Sequence, residues 1–66
     1  MQAVVNKLSG FSTGRLEAIY NNAWRNAHNA VNEDASRVVL SAIEMICGLR
    51  NVEITGRGGN WEFVQR

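Results

Sequence analysis

Apolar residues recur along this chain at helical spacing through residue 50 and then change period toward alternation. The widest apolar arc lies in residues 32–50, NEDASRVVLSAIEMICGLR. Plotted at about 100° per residue, the arc runs from Val38 and Met45 through Ala42, Ile46 and Ile43 to Cys47 and Leu40, more than half the wheel. A helix resting on one side of a core needs a narrower stripe, so this one is expected to be covered from at least two directions. Asn32 stands at the N-cap position, and Glu33 and Asp34 place negative charge in the first turn, where the helix dipole favours it.

Residues 13–31 predict a second, amphipathic helix. Leu16, Ile19, Tyr20, Ala23, Trp24 and Ala27 share one side, continued by Ala30 and Val31. Ser12 is placed to cap it, and Phe11 and Leu16 have the spacing of a hydrophobic staple. Ala23, Ala27 and Ala30 are small and allow the helix from Glu33 to approach closely. The opposite side carries Arg15, Asn21, Asn22, Arg25, Asn26, His28 and Asn29, with Glu17 its only acid. Residues 13–50 cannot form one straight helix around a single core, because the centre of the apolar arc jumps by about 120° between the halves. A reversal near residues 29–32, giving an αα-hairpin, buries both faces.

The flanks complete the layout. Residues 1–9 space Val4, Val5 and Leu8 as a short helix, with a strand as the alternative, and Gly10 is expected to stop it in the left-handed conformation. After residue 50, NVEIT and NWEFVQR flank GRGG and predict a β-hairpin. A two-residue turn at Arg57 and Gly58, or a slightly longer loop over residues 56–59, pairs Thr55 with Asn60, Ile54 with Trp61 and Val52 with Phe63. It collects Val52, Ile54, Trp61 and Phe63 on one face and sets Glu53 opposite Glu62, where they repel mildly. The expected fold is therefore α+β in one small domain, residues 1–66. It has a short N-terminal helix, an αα-hairpin (about 13–31 and 33–50) and a C-terminal β-hairpin (about 51–65). Ile46, Val39, Ala42, Leu16 and Ala27 are the expected core.

Composition narrows the function classes. A 66-residue chain buries only about 60% of its unfolded surface, so folding onto a partner or a homodimer mate is a secondary expectation. The net charge of +1 gives no sign of a polyanionic partner. A single cysteine excludes an internal disulfide and suits a reducing compartment. Residues 1–11 lack the long apolar run and cleavage site of a signal peptide, and no stretch reaches membrane-spanning length, so a cytoplasmic protein without membrane contact is expected.

Catalytic chemistry finds no foothold in the pattern. The one histidine, His28, falls on the polar side of its helix, while Cys47 falls inside a mostly apolar arc. Nothing brings a base to a nucleophile, and one His with one Cys cannot supply the usual four zinc ligands. The glycines of GRGG do not precede a helix, so they do not form a phosphate loop. The expectation is a non-enzymatic protein without cofactor, metal or small-molecule substrate.

Binding remains. Four asparagines on one helix side are poor helix formers and do nothing for stability. The candidate binding surface is Arg15, Asn21, Asn22, Arg25, Asn26 and Asn29, with Arg57 at the hairpin tip. A protein partner is favoured, and the length is that of the small inhibitors and regulators that mobile elements encode. DNA is the alternative. The segment VVNKLSGFSTGRLEAIYNN has the layout of a helix-turn-helix, with Arg15, Asn22 and Arg25 of types that bond base edges and Arg57 placed like a wing. Against DNA, Asn6 stands where an apolar residue normally packs the two helices, and few cations surround the second helix although phosphate contacts normally dominate affinity.

Overall fold

The computed structural model describes residues 2–29 and 32–66. They form α1 (Gln2–Leu8), α2 (Thr13–His28) and α3 (Glu33–Leu49), followed by the antiparallel strands β1 (Val52–Arg57) and β2 (Asn60–Gln65). The predicted α+β layout is the observed one, with Ala30 and Val31 of the expected second helix outside the described residues.

Helix α1 ends without the expected left-handed glycine, since Gly10 is absent from the positive-φ positions. The Ser9 hydroxyl instead donates to the Val5 carbonyl at 2.6 Å, and the Phe11 N–H donates to Leu8 O at 3.0 Å. Ser12 caps α2 as expected, its hydroxyl accepting the Arg15 N–H at 3.2 Å. Asn32 does not cap α3 with its side chain. Its backbone is left-handed (φ 47°, ψ 49°), and only its carbonyl joins the helix, accepting the Ser36 N–H at 2.9 Å. A capping side chain normally reaches the first-turn amides from an extended backbone, which the left-handed Asn32 does not have. Asn51 closes the other end of α3, left-handed at φ 57° with its N–H on the Gly48 carbonyl.

Helices α2 and α3 pack side by side, α1 crosses α3, β2 runs along α2 and β1 along α3. Leu16, Tyr20, Ala42, Ile43, Ile46, Cys47, Val5, Leu8 and Val52 form the core. Val39 and Ala27 are only half-buried, because both lie at the margins of the α2–α3 seam. Of the wide arc on α3, the side holding Val38, Met45 and Leu49 stays uncovered. Arg50 locks the open end of the helical pair, its guanidinium donating to Ser9 O at 2.8 Å and to the Thr13 hydroxyl at 3.3 Å.

The hairpin shares the predicted face but not the predicted register. Arg57 pairs with Asn60, Gly56 with Trp61 and Ile54 with Phe63, so the turn is Gly58–Gly59. Both glycines have positive φ (44° and 87°), which a type I′ turn requires and which arginine at the first position would resist. The shift is by two residues, so Val52, Ile54, Trp61 and Phe63 still face the core. It separates Glu53 from Glu62, which now lie opposite Val64 and Thr55. Gly56 is held at φ 125° directly across from Trp61, where an added Cβ would meet the Asn60 carbonyl oxygen at 2.5 Å.

Candidate interaction surfaces

The polar residues of α2 divide into two groups according to side. Toward the hairpin, Glu17, Asn21 and Arg25 form a ladder along the free edge of β2. Asn21 Oδ1 accepts the Trp61 N–H at 2.6 Å, and its Nδ2 donates to the Trp61 carbonyl at 2.9 Å. Glu17 accepts the Phe63 N–H at 2.8 Å, and Arg25 donates to the Gly59 carbonyl at 2.7 Å. The spacings make this possible. Four helical residues rise about 6 Å and two strand residues about 6.7 Å, so side chains at i, i+4 and i+8 meet every second residue of a strand. Asn21 thus replaces the peptide group of a third strand, and the edge that would otherwise invite pairing is closed.

Away from the hairpin the same residue types stand open. Arg15 stacks on Phe11 with 4.4 Å from its guanidinium carbon to the ring centre. It borders a groove of about 610 Å³ between α1, α2 and α3, with Val4, Leu8, Phe11, Ile19 and Val39 as its floor and Lys7 on the facing rim. Asn22 and Asn26 line a shallower continuation of about 230 Å³ beside Ile19, Ala23 and Val39. Asn29 is exposed at the end of α2, and Arg57 is exposed at the end of β1. The structure therefore brings Arg15, Asn22 and Asn26 along one groove system, ties Asn21 to β2 and Arg25 to the hairpin turn, and keeps Arg57 apart. Lys7, Val4 and Phe11 were missing from the sequence-derived surface. Phe11 beside Arg15 was the available signal, but only the crossing of α1 over α3 shows that a groove lies between them.

A cleft of about 580 Å³ opens on the hairpin side, between the C-terminal half of α2 and the N-terminal part of α3. The Tyr20 hydroxyl donates to Glu44 Oε2 at 2.8 Å across it. Burial, and then this bond to a carboxylate, push the Tyr20 hydroxyl well above the ordinary range. His28 stacks on Trp24 at 3.6 Å between ring centres, its Nδ1 lying 3.0 Å from the Trp24 carbonyl. Glu33 and Arg37 form an i,i+4 ion pair at 2.8 Å on the rim. Cys47 lies about 14 residues, or about 21 Å, further along α3 than Glu33, is buried, and has its thiol pushed up by that burial. His28 and Cys47 thus sit at opposite ends of the helical pair. Among the described residues no three His, Cys, Asp or Glu side chains converge as metal ligands, and no helix is long and apolar enough to cross a membrane. Compared with the models of known protein families, with curated proteins and with solved structures, the chain matches none.

Proposed function

We propose that this is a non-enzymatic binding and regulatory protein whose partner is another protein, received as an acidic amphipathic helix in the groove between α1, α2 and α3. The observation that carries this reading is an apolar floor of Val4, Leu8, Phe11, Ile19 and Val39 left open between two cations, Lys7 and Arg15. Helix-in-groove recognition uses apolar anchors at i, i+3, i+4 and i+7. Opposite charge at the rim adds steering and register. Asn22 and Asn26 extend the site with neutral hydrogen-bonding groups suited to the polar flank of such a helix.

The test is capture from lysate, with and without nuclease, by the wild-type chain and by the Lys7→Glu, Arg15→Glu double variant. The reading expects a protein retained after nuclease treatment and lost by the double variant. Capture indifferent to the two reversals would overturn it. So would a salt-sensitive shift of duplex DNA abolished by Arg15→Ala together with Arg25→Ala, because release of counterions from phosphates gives that steep salt dependence.

A further inference from the structure

The two edges of the β-hairpin are treated differently. At non-hydrogen-bonded pairs of an antiparallel ladder, both residues point their N–H and C=O groups outward. Trp61 and Phe63 do so on β2, where Asn21 and Glu17 bond to them. Their cross-strand partners are Gly56 and Ile54, and Val52 follows in the same alternation. The outward groups of these three residues form the free edge of β1, and nothing among the described residues bonds to them.

This edge faces the flank of the molecule remote from α2, because β2 runs along α2 and β1 along α3. The uncovered stripe of α3 lies on the same flank. Val38, Met45 and Leu49 recur at i, i+7 and i+11 with exposures of 39%, 49% and 80%. They stand on the side of α3 opposite the margins, Val39 and Leu40, that border α2. An open strand edge beside an apolar helix stripe is a surface that a second sheet-bearing layer would cover.

The geometry points to a second copy of this chain as that layer: a two-fold dimer in which β1 pairs antiparallel with β1 of the partner, making a four-stranded sheet, while the two α3 stripes meet beneath it. The strand VEITGR is complementary to itself in this arrangement. With the two-fold axis at Thr55, Glu53 of each copy stands directly across from Arg57 of the other, and Ile54 exchanges backbone bonds with Gly56. Arg57 has no partner among the described residues. Glu53 touches the terminal Arg66 on the same solvent face, which leaves it between two cations. The register that engages the outward backbone groups is therefore also one that pairs opposite charges twice. This surface is separate from the groove of α1, α2 and α3, so either can hold without the other.

Sedimentation equilibrium over a concentration series, with hydrogen exchange at the Ile54 amide, tests the dimer. The expected result is a concentration-dependent dimer in which the Ile54 amide becomes protected. Arg57→Glu should raise the dissociation constant about tenfold or more, since it converts two attractive cross-strand pairs into repulsive ones. The exchanged double variant Glu53→Arg, Arg57→Glu should restore it. All four side chains in these variants lie on the solvent face, so folding is not at stake. A chain still monomeric at about 1 mM, as expected if the edge serves a strand of a different protein, would overturn the proposal. A dimer unmoved by Arg57→Glu, or one in which Ile54 stays unprotected, would overturn it equally.

Discussion

Helix α2 presents asparagine and arginine on two sides. On the hairpin side, Asn21 and Arg25 bond to the backbone of Trp61 and Gly59. On the groove side, Asn22 and Asn26 make no bond to another element among the described residues, and Arg15 lies over Phe11. Asn21 and Asn22 are neighbours in sequence, separated by about 100° around the helix. Residue type therefore says little about role here. What decides is whether an unpaired strand edge lies within reach of the side chain. The hairpin side is internal architecture with polar atoms, and the groove side is free surface.

The strongest way to break this comparison is to truncate the two neighbours in turn. Asn21→Ala strips Trp61 of partners for both its N–H and its C=O, and stability should fall by about 2 kcal/mol. Asn22→Ala removes no bond. Equal denaturation midpoints for the two variants would show that the ladder does not hold the hairpin.

A second test uses pH. Tyr20 is the only tyrosine, and its hydroxyl is raised by burial and by its bond to Glu44. A group raised in this way contributes fully below its unfolded value of about 10. That contribution is lost as pH climbs from there toward the folded value, because the unfolded chain ionises first. Stability should therefore decline above pH of about 10, and Tyr20→Phe should flatten that part of the decline. An unchanged alkaline slope in Tyr20→Phe would separate Tyr20 from the hairpin-side network.

The smallest expected effect has the opposite sign. Asn22→Ala and Asn26→Ala should each stabilise the chain by about 0.5 kcal/mol, the difference in helix propensity, because nothing is lost in exchange. Thermal melts of the single and double variants would check it. A loss of stability at Asn26 would mean that its side of the helix also carries structure.

The helices were legible because their signal is local. Apolar spacing, the Ser12 cap and the phase jump between residues 13–31 and 33–50 are all written within a few turns. The hairpin face was legible for the same reason, but its register was not. GRGG admits turns centred one residue apart, which differ by two in register, and the choice falls to the glycine pair that tolerates two positive φ angles. The role of Asn21 was illegible for a different reason, since it depends on where the edge of β2 comes to rest, a contact across about 40 positions. Arg50, to which the apolar pattern assigns no role, locks Ser9 and Thr13 through equally distant contacts. The groove rimmed by Lys7 and Arg15 exists only once α1 has crossed α3.

Cys47 gives this molecule a built-in clock. The residue is 2% exposed, belongs to the core cluster with Leu16, Ile43 and Ile46, and has no second cysteine to react with in the chain. Thiolate is the reactive form, and burial suppresses it in the closed state. Reagent can then reach the sulfur only during moments when α3 parts from its neighbours. When closing is faster than modification, the ratio of the observed rate to that of an unstructured peptide is the equilibrium constant for that opening. The local free energy of the core can thus be followed without denaturant at any protein concentration.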